Sequence, residues 1–138
     1  MMRLLRVAAA LGFICGAIAP AAAAPTNMAA MLRVTVDGVT SAGGTLRVGL
    51  YDEATFPLAS DAPLFKREVP KAAGPIILTF ERLPPGAYAL KALQDVNNDG
   101  RAEPGEPAGV SNGAAPDNFD AAAIVLQPGD NRVSIRLR

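Results

Sequence analysis

Histidine and tryptophan are absent from this 138-residue sequence, and Cys15 is its only cysteine. Without histidine the chain can build no imidazole-ligated zinc site, no Cys–His pair and no Ser–His–Asp triad. Five phenylalanines and two tyrosines are its only aromatic residues. The chain therefore has few aromatic rings with which to form a sugar-binding surface. The common nucleophile–base pairs of hydrolases are excluded.

Residues 1–23 have the layout of a secretory signal peptide. Arg3 and Arg6 give the segment a basic start, and an apolar run over residues 7–18 precedes a string of small residues. This run is too short to span a bilayer comfortably, and an uncleaved membrane anchor is the alternative. The pattern predicts a periplasmic or secreted protein.

We predict cleavage after Ala23, because Ala21 and Ala23 occupy the two small positions of an Ala-x-Ala site. The mature chain then begins with a spacer over residues 24–31, and it has lost Cys15 and the possibility of a disulfide. Loss of the two leader arginines leaves 11 basic residues against 13 acidic ones. This slightly acidic balance gives no electrostatic basis for a nucleic-acid partner, and we expect no stable membrane insertion after cleavage.

Residues 32–138 alternate apolar and polar side chains in one short segment after another. In "LRVTVDGV" the apolar positions are Leu32, Val34 and Val36, and "GTLRVGLYD", "IILTFERL" and "NRVSIRLR" repeat the period. Such alternation, bounded by glycine, proline, asparagine and aspartate, predicts half-buried antiparallel strands. "TSAGG" predicts a hairpin turn between the first two strands, and "PGD" predicts another between the last two.

The fold class that follows is all-β: one antiparallel β-sandwich domain of about seven strands, Ig-like or transthyretin-like. The seventh strand is placed near "LFKREV", within a proline-rich stretch over residues 53–75 that otherwise predicts a long loop. An up-and-down barrel is the alternative. The arginines that alternate along the last strand predict the solvated face of an edge strand, or else a contact with an acidic partner.

The segment "DVNNDGRAEPGE", residues 95–106, has the spacing of a calcium-binding loop. Calcium is a hard cation that takes about six to eight oxygen ligands, which such a loop supplies from alternate positions around a sharp bend. Gly100 stands at the bend, where the pattern requires a residue without a side chain. The predicted ligands, in order along the loop, are Asp95, Asn97, Asp99, the backbone carbonyl of Arg101, Glu103 and Glu106.

The surroundings of this loop are not those of an EF-hand. The segment before it, "GAYALKALQ", predicts a strand, and Pro104 and Pro107 prevent a helix from starting within the loop or directly after it. We therefore expect a solitary, structural Ca²⁺ site at the end of a strand. The alternative is a turn in which aspartate and asparagine side chains accept hydrogen bonds from their own backbone.

The stretch "FERLPPGAYALKALQDVNNDGRAEPGEPAGVSNG" resembles the bacterial domain-of-unknown-function family 2141, and the resemblance extends from about Leu32 to Leu137. It implies an exported β-sandwich related to transthyretin-like and carboxypeptidase-regulatory modules, with no assigned catalytic activity. The sequence departs from that family at Gln94, where members often carry histidine, and at Glu103, where they carry aspartate. The stretch "DGRAEPGEPAGV" also resembles the calcium loops of repeat B domains on bacterial surface adhesins.

We expect a non-enzymatic module with a binding or accessory role and an unknown protein or glycan partner. One alternative is a carbohydrate- or peptide-binding module that uses the metal loop, with Tyr51 or Tyr88 stacking on a sugar, although Tyr88 is expected to pack as a corner tyrosine. A hydrolase is disfavoured because the loop carboxylates share one short segment instead of facing each other across a cleft. Residues 111–113 predict either a cover over the metal loop or a plain turn.

Overall fold

The computed structural model describes residues 28–56, 63–70 and 74–138. The predicted signal peptide and its cleavage site lie outside these residues. The first strand begins at Ala30, so it takes up the end of the predicted spacer. The elements are β1 (Ala30–Asp37), β2 (Thr45–Tyr51), β3 (Phe65–Pro70), β4 (Ile76–Leu83), β5 (Gly86–Asp95), β6 (Ala108–Val110), a 3₁₀ turn (Ser111–Gly113), α1 (Phe119–Ala122), β7 (Ile124–Leu126) and β8 (Gly129–Arg136).

The strands of the described residues form two sheets. The smaller sheet has the order β4-β1-β8, and the larger has the order β3-β2-β5-β6, with β7 also paired to β5. Alternate side chains of β1 and β2, such as Leu32, Val34 and Val48, are fully buried between the sheets. Each such burial stabilises the fold by roughly 1.5–3 kcal/mol. The predicted all-β sandwich, including the strand near "LFKREV", is confirmed.

The pairing of the strands differs from the prediction. β1 and β8 run parallel, from Ala30↔Gly129 to Asp37↔Arg136, so the sandwich is not wholly antiparallel. β1 and β2 lie in different sheets, and β7 pairs with β5 while β8 pairs with β1, so both predicted hairpins are wrong. The same separation of consecutive strands excludes the up-and-down barrel. Alternation identifies the buried face of a strand but not its neighbour, which is why the sequence pattern did not reveal this pairing.

The "TSAGG" turn carries the chain from one sheet to the other across the end of β5. Gly44 has a φ of +82°, and a Cβ there would lie 1.9 Å from the carbonyl oxygen of Asp95, so only glycine allows the chain to pass. Gln94 is fully buried and holds the crossing: its Oε1 accepts from Thr40 N at 2.9 Å, and its Nε2 donates to Gly43 O at 3.0 Å. Gln94, where members of the resembled family often carry histidine, therefore has a structural role.

β6 brings one edge of the larger sheet against the end of β8. Ala108 and Arg138 exchange two backbone hydrogen bonds, of 3.2 and 2.9 Å. A Cβ at Gly109 would lie 2.3 Å from the carbonyl oxygen of Arg136, so the two backbones touch. The end of β8, which carries Arg136 and Arg138, is therefore held beside β6 at the edge of the larger sheet.

A second, smaller core lies on the outer face of the larger sheet. It contains the ring of Phe56, with Tyr51 at a centroid distance of 6.1 Å and Phe119 at 5.6 Å, both in edge-to-face contact. Phe119 comes from α1, a short helix that the sequence pattern did not predict. Its N-cap is Asn118, whose side chain accepts a hydrogen bond from Ala121 N at 3.1 Å.

Candidate functional site

The predicted calcium loop starts from a carboxylate that is fully buried. Asp95 Oδ2 accepts from Arg47 Nε at 2.7 Å and from Gly100 N at 2.8 Å, while its Oδ1 accepts from Asp99 N at 3.2 Å. Burial of this carboxyl opposes ionisation, but the hydrogen bonds from Arg47 and from Gly100 hold the pKa of Asp95 below its usual value. The first predicted ligand is therefore an anchor for the loop.

Sequence reasoning missed Arg47 as the partner of Asp95. Arg47 pairs with Leu93 across β2 and β5, which puts Asp95 two residues further along the same face. A diagonal neighbour at this offset is within reach of a long side chain. The alternation in "TLRVGLY" places Arg47 on the outer face, but the register of β2 against β5 was needed to find its partner.

Asn97, Asp99 and Glu103 form the outer part of the loop. Asn97 Oδ1 accepts from Asp99 N at 3.1 Å, and Asn97 Nδ2 donates to Glu103 Oε2 at 2.9 Å. Asp99 Oδ1 accepts from Arg101 N at 2.8 Å. The negative charge of Asp99 and a hydrogen bond with its carboxyl raise the pKa of Glu103, and the Asn97 amide opposes this shift. Two carboxyl groups therefore repel each other at the surface of the loop.

Glu106 closes the loop onto its own start. Its Oε1 accepts from Val96 N at 2.8 Å, and its Oε2 accepts from Glu103 N at 3.2 Å. Gly100 has a φ of +80°, which is the left-handed conformation that the pattern requires at the bend. Asn98 fastens the loop to β2, since its Oδ1 accepts from Thr45 Oγ1 at 2.7 Å.

The donor set of this loop fits calcium in kind, because every predicted ligand atom is an oxygen and four of the side chains are acids. Its present arrangement is that of a loop held by its own hydrogen bonds. Within residues 28–56, 63–70 and 74–138, no group of three or more His, Cys, Asp or Glu side chains is arranged to hold a metal ion. Calcium binding would therefore require the carboxylates to turn from backbone amides towards a shared centre, with Asp95 the most firmly held.

The other polar positions singled out in the sequence have structural roles. Ser111 is buried, donates to Ala122 O and accepts from Leu90 N at 3.0 Å, so it fastens α1 to the larger sheet. Residues 111–113 form a 3₁₀ turn. Tyr88 is buried, and its hydroxyl donates to Pro84 O at 2.7 Å, as expected of a corner tyrosine. Tyr51 is also buried, so neither tyrosine offers a stacking face.

The described part of the chain thus belongs to the class of two-sheet β-sandwich proteins. None of its helices is long and apolar enough to cross a membrane. The sequence profile of the family described as "Uncharacterized protein conserved in bacteria (DUF2141)" matches residues 34–134. The chain belongs to this family, which confirms the resemblance found in the sequence.

Comparison with solved structures finds two structures of a pilus-presented adhesin, Cpa. The first is 10% identical with a TM-score of 0.27, and the alignment covers 79% of this chain and 26% of the adhesin. The second is 12% identical with a TM-score of 0.27, and it covers 80% of this chain and 28% of the adhesin. The chain therefore spans about a quarter of that adhesin's length. No curated protein matches the chain.

Proposed function

We propose that this chain is an exported, non-enzymatic β-sandwich module with a binding or accessory role, in which the 95–106 loop holds one structural calcium ion. The proposal places the protein in the periplasm or outside the cell, where calcium reaches the concentrations that weak extracellular sites need. The ion would be held by side-chain oxygens and one backbone carbonyl of the loop. The proposed ligands are Asp95, Asn97, Asp99, the carbonyl of Arg101, Glu103 and Glu106.

The full match of the loop to the calcium-binding spacing, with an oxygen donor at each ligand place from Asp95 to Glu106, is the observation that carries the calcium proposal. Asp99 and Glu103 are two of these ligands, and the charge of Asp99 raises the pKa of Glu103. A divalent cation between them would reverse this unfavourable interaction, because both carboxylates would then face a positive charge. The gain would appear as stability of the folded state.

A non-catalytic role is supported by the way the acids are held. Asp95 is committed to Arg47 and to two backbone amides, and Glu106 accepts two further amides. A general base needs a lone pair directed at a substrate proton, whereas these oxygens are directed at the protein's own N–H groups.

The test is thermal unfolding of the chain from Ala24 onward, with EDTA or with about 10 mM calcium. For a dissociation constant of about 0.1–1 mM, this concentration adds about 1.4–2.7 kcal/mol, which raises the melting temperature by at least about 5 °C. Asp99→Ala, which removes a ligand oxygen that asparagine would keep, should abolish the rise. Asp130→Ala, which alters an exposed acid on β8, is the matched control and should keep it. A melting temperature that is the same in calcium and in EDTA would overturn the proposal.

A second candidate, a ligand-binding module whose site includes the loop, is favoured by one observation. Gly100 and Ala102 line a cavity that extends from the loop across the outer face of the larger sheet. The burial of Tyr51 and Tyr88 argues against a sugar stacked on these rings, so the chemistry of the ligand must be inferred from the other lining residues.

A further inference from the structure

A groove with a cavity volume of about 810 Å³ lies between the outer face of the larger sheet, the calcium loop and the end of β8. A volume of this order is typical of sites for small molecules. No Asp or Glu of the described residues lines the groove. The cations that line it, which define the basic groove, are Arg47, Lys66, Lys91, Arg136 and Arg138.

The floor of the basic groove is apolar and includes Gly49. Register places Gly49 opposite Lys66 on β3 and opposite Lys91 on β5, so two lysines flank a residue that has no side chain. A Cβ at Gly49 would lie 2.8 Å from the ring of Tyr51, which explains why glycine is needed there. Small and apolar residues such as Leu93 and Val110 complete the floor.

Lys91 forms no ion pair with a carboxylate of the described residues. Its Nζ donates to Phe56 O at 2.7 Å and lies 4.2 and 5.1 Å from the ring centroids of Phe56 and Tyr51. Arg47 and Lys66, by contrast, both pair with Glu68. Burial lowers the pKa of Lys91, and the charge of Asp117 only partly opposes this. A half-buried ammonium has three N–H donors, and one of the three reaches an acceptor among the described residues.

Arg136 and Arg138 also line the basic groove. Both are exposed, and no carboxylate of the described residues forms an ion pair with either of them. They reach this position because Ala108 and Gly109 hold the end of β8 against the larger sheet. As far as the described residues go, the basic groove therefore presents three cations without a carboxylate partner, around an apolar floor.

We propose that the basic groove binds a small organic anion that carries one carboxylate or phosphate group on an apolar body. The anionic group sits on Lys91 and faces Arg136 and Arg138, and the apolar body lies on the floor. An unpaired, partly desolvated cation gains most from an anion that accepts its free donors. An apolar body is favoured over a sugar because the floor has little hydrogen-bonding capacity and no exposed aromatic ring. The inference rests on the binding role proposed above but not on the calcium loop.

The test is a titration of the ¹⁵N-labelled chain from Ala24 onward with octanoate, below the concentration at which it forms micelles, in EDTA. Octyl phosphate distinguishes a phosphate head group from a carboxylate, octyltrimethylammonium reverses the charge, and hexaglutamate represents an acidic peptide. We expect saturable shifts of the amide signals of Ala92, Gly109 and Gly113 with octanoate or octyl phosphate. We expect no saturable shifts with the ammonium compound.

Two variants and one matched control locate the anionic group. Lys91→Met keeps an apolar stem beside the rings and should weaken binding about tenfold, as loss of one charged hydrogen bond implies. Arg136→Gln, an exposed change that is safe for folding, should weaken it about twofold to fivefold. Arg132→Gln removes an exposed arginine of the same strand that does not line the groove, and it should leave the affinity unchanged.

The proposal is overturned if neither octyl anion gives saturable shifts, or if octyltrimethylammonium binds equally well. It is also overturned if hexaglutamate binds and the octyl anions do not, which would indicate a peptide site. If Lys91→Met fails to fold, the affinities of Arg136→Gln and Arg132→Gln for the octyl anion are compared instead. Equal affinities of these two variants reject the site. Because EDTA is present throughout, failure of the calcium proposal leaves this result intact, and a failed titration leaves the calcium test intact.

Discussion

Replacement of Asp95 by alanine distinguishes two roles of this residue, as a calcium ligand and as the buried partner of Arg47. As a calcium ligand only, Asp95 would matter little in EDTA, and its removal would even relieve repulsion within an acidic loop. As the buried partner of Arg47 it stabilises the fold whether or not calcium is present. The structure favours the second role, so we expect Asp95→Ala to be strongly destabilising in EDTA.

The magnitude follows from the contacts of the carboxylate. Its side chain is 0% exposed, and it accepts hydrogen bonds of 2.7, 2.8 and 3.2 Å from Arg47, Gly100 and Asp99. Loss of one partner of a buried ion pair costs roughly 3–5 kcal/mol. Arg47 is 22% exposed and keeps Glu68 as a second partner, so the cost should lie at the lower end, about 3 kcal/mol. For a domain of this size that is a fall in melting temperature on the order of 10–20 °C.

The assay is urea unfolding followed by circular dichroism, with thermal unfolding as a second measurement, both in EDTA. Asp130→Ala is the control, since an exposed acid away from the loop should change stability by no more than about 0.5 kcal/mol. If Asp95→Ala unfolds within about 0.5 kcal/mol of the unaltered chain, the ion pair contributes nothing and the anchoring role is wrong. A stability that rises would show that repulsion within the loop outweighs the pair with Arg47.

Three further predictions concern pH and packing. Because the pKa of Asp95 is depressed in the folded state, its ionised carboxylate stabilises the fold fully above the unfolded pKa of about 3.9, and this contribution is lost as the pH falls below that value. The stability of Asp95→Asn should therefore depend less steeply on acid pH than that of the unaltered chain, as followed by circular dichroism. Ser111→Ala leaves Leu90 N without its acceptor and should cost about 1–3 kcal/mol in urea unfolding, whereas an unchanged stability would show that water replaces the hydroxyl. Gly109→Ala places a Cβ 2.3 Å from a backbone oxygen of β8, and faster hydrogen exchange at the amides of Ala108 and Arg138 should reveal the separation of β6 from β8. Unaltered exchange at those two amides would contradict the close approach.

The 95–106 loop shows how much of a candidate site can be predicted from the spacing of its residues. Its bend at Gly100, its strand before Asp95 and the absence of an EF-hand helix in the described residues were all expected from the sequence, and the structure bears them out. The Asx-type hydrogen bonds that were the alternative to a metal site are also present, at Asn97 and Asp99. Spacing fixes which side chains recur along a loop, but the direction of each oxygen depends on which donors surround it. The calcium site therefore stays a prediction.

The sequence by itself determined the local features of this protein. Alternation assigned a buried face to each long strand, and the residues around "LPPGAY" and "DVNNDG" identified the family. The tertiary structure alone decided which strands meet. The parallel pair of β1 and β8, the bond between Arg47 and Asp95, and the gathering of Lys91 with Arg136 and Arg138 join residues that are far apart in the chain. Period-two patterns repeat identically in every strand, so they carry no information on neighbours, and the sites built between strands appear only once register and sheet order are fixed.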